Sequence, residues 1–235
     1  MINDKDLGMK TDDSIKNETK AEQIHRRIKQ SILNGDIAPG EKLVISQLAE
    51  RYKTSIIPVR EALGRLEVEN LITVVPHTGA YAREIDLNAL REIYPLRGVL
   101  EGYAVRLASG HLTEADFASL KTTIEQMDDS IAAKDFALMG ELNTEFHMII
   151  YRASGNQTLI HLIEDFLQKT FLARLVFRFK PYRALESNCE HRQIVEAMES
   201  GITATAERLI IRQSEKTLDL LNDHLKTTDS RGRRL

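Results

Sequence analysis

Beyond Ile85 this 235-residue chain contains no stretch in which apolar and polar residues alternate, and that constrains its fold more than any other feature. Alternation marks a half-buried strand, whereas apolar residues recurring every three to four positions mark a buried helical stripe. Only the second pattern occurs here. Helices are predicted at 87–109, 113–133, 135–154, 156–179, 184–200 and 202–226, punctuated by Gly110, the polar step Lys134-Asp135, Gly155, Pro181 and Gly201. Thr113 followed by Asp116 is a capping arrangement at a helix start. Six helices on short links predict an antiparallel bundle with ligand space between them.

The residues before that boundary are mixed. Ile24, Ile28 and Ile32, with Leu33, form one helical stripe that stops at Asn34-Gly35, and Pro39-Gly40 makes a turn. Lys42–Val44 has the character of a short strand. A helix opened by Ser46 or its neighbours runs through Leu48, Ala49 and Tyr52, and the link Lys53-Thr54-Ser55 leads into another. Ser55 is predicted to cap that helix by accepting backbone N–H bonds, with Pro58 in its first turn. Val59, Ala62, Leu63 and Leu66 give it a core-facing stripe. Leu71–Val75 and Ala80–Ile85 are predicted strands joined by Pro76-His77-Thr78-Gly79. Helix, strand, helix, turn, helix, hairpin is the order of a winged helix-turn-helix. In that fold the second helix of the pair protrudes to enter a major groove. Its outer face offers Arg60, Gly64 and Arg65, and the small Gly64 lets backbone approach DNA closely. The same residues also suit an ordinary solvated helix face, because helix-turn-helix patterns are weakly specific.

The expected architecture is therefore mainly α. A flexible arm (1–17) precedes a winged helix-turn-helix (18–85), then an all-helical antiparallel bundle for sensing and dimerisation (86–226), then a tail (227–235) ending in Ser230-Arg231-Gly232-Arg233-Arg234. Cys189 is the lone cysteine, which excludes an internal disulfide framework and favours a reducing compartment. No apolar run approaches the roughly 20 residues needed to span a bilayer, and Met1–Lys20 lacks the apolar centre of a signal peptide. A cytoplasmic location without membrane contact is expected. The net charge of −3 does not advertise nucleic-acid binding, and residues 21–85 carry nine Lys and Arg against eight Asp and Glu. A case for DNA must rest on where the charges sit.

Three stretches, ILNGDIAPGEKL (32–43), PVREALGRLEVENLI (58–72) and VVPHTGAYA (74–82), together closely resemble the GntR family of bacterial transcription factors. NTEFHMIIYRASGN (143–156) followed by EHRQIVEAMESG (190–201) resembles the FCD ligand domain of its FadR subfamily, and the six-helix count is similar to the VanR-type branch. The resemblance covers about residues 18–226. It implies a homodimer on an inverted-repeat operator, acting as a repressor or activator, with recognition helices in adjacent major-groove segments and wings near the minor groove. By position, Arg60 matches a DNA-contacting arginine, Ser55, Ile56 and Ile57 open the recognition helix, and His77, Thr78 and Gly79 form the wing tip. Ile56, Ser46 and Thr78 stand where many members place arginines, which implies a different operator or weaker binding.

The resemblance also implies a metal centre in the bundle, built in many FCD domains from Asp or Asn and three histidines. Asn143 and His147 match the first two positions and share a helix face at i, i+4; His191 matches the next, and Gln213 stands where the last histidine is expected. Without a carboxylate in that set, a divalent zinc-, nickel- or manganese-like ion would favour an anionic effector to complete its shell. Alternatively, the same four side chains hydrogen-bond a small carboxylate-bearing effector directly in a metal-free pocket. Arg97 matches a cavity-facing arginine and can pair with a carboxylate; a surface ion pair with Glu101 at i+4 is the competing reading. Cys189 lies two positions from His191, on a different helix face. His111, His161 and His224 lack partner spacing, and Tyr151, Phe171, Phe177 and Phe179 suit core or dimer packing. Two other functions can be framed. A metal-dependent bundle enzyme would lack the third histidine and any motif-placed base. An interaction module that has lost DNA binding would be supported by Ile56 and Ser46 alone.

Overall fold

The computed structural model describes residues 18–229, so the expected arm and the residues from Ser230 onward lie outside it. The chain opens with α1 (Lys20–Leu33). Thr19 and Glu22 form a reciprocal capping box at its start, and Asn34 ends it ahead of Gly35. After β1 (Lys42–Leu43) come α2 (Ile45–Arg51) and α3 (Ile56–Val68), then the hairpin of β2 (Ile72–Val75) and β3 (Gly79–Ala82). The three strands form one antiparallel sheet in the order β1-β3-β2. Ile24, Ile28, Ile32, Val59, Ala62, Leu63 and Leu66 close the core between α1 and α3, over Leu71 and Ile72. Each large side chain so buried contributes roughly 1.5–3 kcal/mol.

α2 opens at Ile45, beside Ser46 as expected; Val44 holds its N-cap position without any side-chain bond, and Ser46 sits exposed within the first turn. One capping expectation is corrected. Ser55 does occupy the N-cap of α3, but its side chain accepts no hydrogen bond there. The hairpin is tighter than expected. Val75 pairs with Gly79, and the loop Pro76-His77-Thr78 is closed by the Thr78 N–H donating to the Val75 carbonyl at 3.0 Å.

The helical half begins at Asp86, whose carboxylate caps α4 (Leu87–Ala108). It continues with α5 (Glu114–Ala132), α6 (Phe136–Ala153) and α7 (Gln157–Lys169). A 3-10 turn (Phe171–Leu175) and the short α8 (Val176–Phe179) follow, then α9 (Pro181–Glu199) and α10 (Thr203–Asp229). The capping box expected at Thr113 and Asp116 is present. The single helix expected over 156–179 is not. It breaks at Thr170, whose hydroxyl donates to the Phe166 carbonyl at 2.8 Å, and the chain turns into the 3-10 segment. Pro181 proves a start rather than a break. It takes the first turn of α9, where its missing N–H costs nothing, so that helix begins three residues earlier than expected.

The segment after Thr170 serves two cores. Ala173, Val176 and Phe177 pack into the bundle, while Leu172 and Leu175, with Phe171 and Phe179, pack into the N-terminal core beside Ile28 and Leu66. Lys29 of α1 strengthens the same junction, reaching Glu69 at 3.2 Å and Glu141 of α6 at 3.7 Å. No helix among the described residues is long and apolar enough to cross a membrane.

Candidate functional site

Two surfaces qualify, one facing outward and one lying between the helices of the bundle. The outward one is α3 and the wing. With Val59, Ala62, Leu63 and Leu66 turned inward, helical geometry turns Ile56, Ile57, Arg60, Glu61, Gly64 and Arg65 to solvent. Ile57 is 68% exposed and Ile56 beside it 47%. Arg60 has no ion-pair partner among the described residues, whereas Arg65 lies 3.5 Å from Glu22. A Cβ at Gly64 would meet nothing within 4 Å, so the fold does not require glycine there. His77 (φ 61°) and Gly79 (φ 128°) adopt left-handed backbone at the wing tip, and Val74, Val75, His77 and Thr78 are exposed. The structure thus places Ser55, Ile56, Ile57, Arg60, Gly64, Arg65, His77, Thr78 and Gly79 on helix and wing, with Ser46 exposed on α2.

The inner site is a cavity of about 70 Å³ between α4, α6, α9, α10 and the 3-10 turn. Asn143, His147 and Gln213 line it, as expected. His191 does not line it directly: it is fully buried behind His147, the two ring centres 5.1 Å apart, and stacks at 4.3 Å on Phe146. Among the described residues neither ring nitrogen of His191 has a hydrogen-bond partner, and the side-chain oxygen of Gln213 has none either. Buried polar atoms left this way cost free energy, so each such atom requires an explanation. Burial, reinforced by Arg97 and Arg183, holds the His147 imidazole down to about 4, with Glu101 opposing. Burial, with His147 and Arg183 nearby, holds His191 well below the ordinary histidine range. Both rings are therefore neutral at pH 7, the form that binds a metal or accepts a hydrogen bond.

Arg97 settles one of the open alternatives. Its pair with Glu101 exists, at 2.8 Å, but inside the cavity wall, with side chains 12% and 4% exposed. Burial would push the guanidinium down in pKa, but Glu101 beside it more than offsets this and holds it above its usual value. Arg97 also donates to Thr170 Oγ1 at 2.7 Å, and Glu101 accepts from Ser214 at 3.1 Å. Glu101 brings a carboxylate to the cavity beside the four-residue set, although its oxygens are already committed. Sequence reasoning missed Arg174, Arg183, Thr170 and Ser214. Arg183 carried one usable signal: it lies four and eight residues before Ser187 and His191, on the same buried face of α9. Tyr151 lines the cavity as well as packing in the core, its hydroxyl 3.4 Å from His147 Nδ1. Cys189 is exposed and His111 and His161 are surface residues; the His224 side chain lies outside what is described.

An outward recognition-type helix on a three-stranded wing, joined to a helical bundle around a polar cavity, defines a winged helix-turn-helix protein with a bundle-type ligand domain. Residues 92–216 match the FCD domain, and residues 20–81 match the domain of bacterial regulatory proteins of the gntR family. The chain belongs to the GntR family, in the FCD-bearing FadR-type subfamily. It is 34% identical over 140 residues to the Nta operon transcriptional regulator of Aminobacter aminovorans, a match covering 59% of this chain and 65% of that protein. It is also 34% identical over 143 residues to the regulator McbR of Escherichia coli K12, covering 61% and 65%. These two matches thus span less than two thirds of either relative. LutR of Bacillus subtilis is 28% identical over 216 residues, covering 83% of this chain and 98% of LutR. Among solved structures, that of E. coli McbR/YncC superposes with a TM-score of 0.68 at 25% identity, covering 88% of this chain and 98% of that one. These relatives are transcriptional regulators rather than enzymes.

Proposed function

We propose that this protein is a ligand-responsive transcription regulator of the bacterial cytoplasm, binding an inverted-repeat operator as a homodimer and releasing or retaining it according to a small carboxylate-bearing metabolite. In this reading residues 18–85 are the DNA-binding unit and 86–226 the sensing and dimerisation unit. The observation that carries it is the exposed outer face of α3, where Arg60 has no ion-pair partner among the described residues and stands near the open Gly64, flanked by an exposed wing. An arginine in that position can donate to guanine edges or clamp phosphate. Effector binding in the cavity would act by population shift, which requires different affinities for the DNA-competent and DNA-incompetent arrangements.

A divalent ion fits the cavity in part. Two neutral imidazoles on one tetrahedral ion place their ring centres roughly 5 Å apart, and His147 and His191 are 5.1 Å apart. The unpartnered atoms of His191 and Gln213 are suitable donors. The remaining donors are amide oxygens, and no cluster of three His, Cys, Asp or Glu suited to a metal occurs among the described residues. His147 and His191 would hold such an ion, with Asn143 and Gln213 in support, and it would supply positive charge to draw an effector carboxylate.

Selection from a randomised operator pool followed by gel-shift titration tests the function. Wild-type protein should select an inverted repeat, and Arg60→Ala should weaken it by about 10- to 100-fold, the range for a lost arginine–base contact. Absence of any sequence-selective site at moderate salt would sink the proposal.

A further inference from the structure

Three arginines, Arg97, Arg174 and Arg183, line the cavity against one carboxylate, Glu101. They are not equivalent. Arg97 is fully engaged, by Glu101 through Nε and Nη2 and by Thr170 through Nη1. Arg174 donates to Thr144 Oγ1 at 2.5 Å and lies over the Phe171 ring at 4.1 Å. Arg174, like Arg183, uses only Nη2 in a hydrogen bond, but Arg183 alone of the three has idle nitrogens among the buried unpartnered atoms. Its side chain is 1% exposed, and only Nη2 is used, donating to Glu190 Oε2 at 2.9 Å. Nε and Nη1 are buried and have no acceptor among the described residues. Glu190 cannot neutralise Arg183 alone, because its other oxygen accepts from Lys216. The group Arg183–Glu190–Lys216 therefore keeps one positive charge in excess, with unused donors on the buried guanidinium. Leaving buried cationic donors unpaired is among the more expensive things a fold can do.

We infer that Arg183 is the residue that binds the anionic end of the effector, and that the effector is a compact carboxylate. The small cavity, about 70 Å³, favours a compact ligand. The anion follows from the unused donors of Arg183. The location follows from its neighbours, since Asn143, His147, Ser187 and Gln213 line the same space and the unpartnered Gln213 oxygen can accept from the remainder of the ligand. Arg97, for which the sequence left a carboxylate-binding role and an ion pair with Glu101 both open, becomes a structural residue holding Glu101 and Thr170. The inference rests on the proposed function for its identification of the cavity as the effector site.

The test uses full-length protein stripped with EDTA and titrated calorimetrically with acetate, propionate and malonate. Propionamide serves as the neutral isostere and inorganic phosphate as the rival oxyanion. At least one carboxylate should saturate wild-type protein, with propionamide binding undetectably and phosphate more weakly. Arg183→Gln should loosen that carboxylate at least tenfold, about 1.4 kcal/mol, and Arg183→Lys should fall between, since it keeps the charge but not the fork of donors. Circular dichroism of each variant confirms the fold; if Arg183→Gln does not fold, Arg183→Lys against propionate and propionamide carries the test. Equal affinity of Arg183→Gln and wild type, propionamide bound as well as propionate, phosphate bound most tightly, or no saturable carboxylate binding each overturns the inference. Operator affinity measured alongside separates the two proposals. A carboxylate bound through Arg183 that leaves operator affinity unchanged defeats the regulatory reading alone, and a carboxylate that alters operator affinity equally in both proteins defeats the Arg183 assignment alone.

Discussion

Gly64 sits in the middle of α3 with open space where a side chain would begin. Glycine in a helix interior costs roughly 0.5–1 kcal/mol relative to alanine, so the free protein has no stability reason to keep it. Gly64→Ala should raise the urea midpoint of the free protein by an amount equivalent to about 0.5–1 kcal/mol and yet weaken operator binding; improvement in both would argue against close DNA approach at this helix. Inside the bundle, His147 is held down to about 4 and His191 lower still, chiefly by burial. A histidine depressed in the folded state contributes full stability above its unfolded value of about 6.5, and that stability is lost as pH falls towards the folded value. EDTA-treated protein should therefore lose urea resistance between pH 6.5 and 4, and His147→Asn should lose less over the same interval; parallel pH profiles for the two proteins would contradict this. The outward residues were legible because a helical stripe of four core positions leaves only one face for Arg60, Gly64 and Arg65. The inward ones were not. Arg183 and Glu101 each stand at helical spacing from another site residue, but the burial of a charge depends on which helices meet, which periodicity in one helix does not encode.

Most helices in the bundle half were visible in the chain because their ends carry explicit chemistry: Asp86, Thr113, Asp135 and Asn156 all cap with their side chains. The break at Thr170 was hidden for a physical reason. Residues 171–179, FLARLVFRF, are apolar on more than one side because they face two cores, so the apolar pattern runs unbroken across the turn. Thr170 anchors that break, accepting from Arg97 and donating back to Phe166. Thr170→Val keeps the shape but leaves an Arg97 donor without its acceptor, at an expected cost of about 1–3 kcal/mol. Thermal unfolding should show the loss, and Thr170→Ser should restore most of it; a serine variant as unstable as the valine one would point to packing instead.

At the scale of the whole molecule, α4 presents Leu96, Val99 and Tyr103 along one solvent-facing stripe, with Val99 69% exposed. A contiguous apolar surface on a helix of this length is what a homodimer would cover. Val99→Glu should shift the molecular mass measured by light scattering towards the monomer and lower operator affinity, since two half-sites would no longer be held together. A dimer unaffected by the change would place the interface elsewhere. The division into two units was legible from the loss of alternation after Ile85, but their junction was not, because it is made by residues distant in sequence. Leu172 and Leu175 complete the hydrophobic interior of the N-terminal unit although they are encoded a hundred residues after it. The two halves are consequently not interchangeable parts: a recombination event that delivered residues 18–85 to a foreign bundle would expose apolar surface around Ile28 and Leu66 unless the recipient supplied its own version of Phe171–Phe179. Descent with shuffling should therefore pass on these nine residues together with the N-terminal unit they complete, as one inherited block.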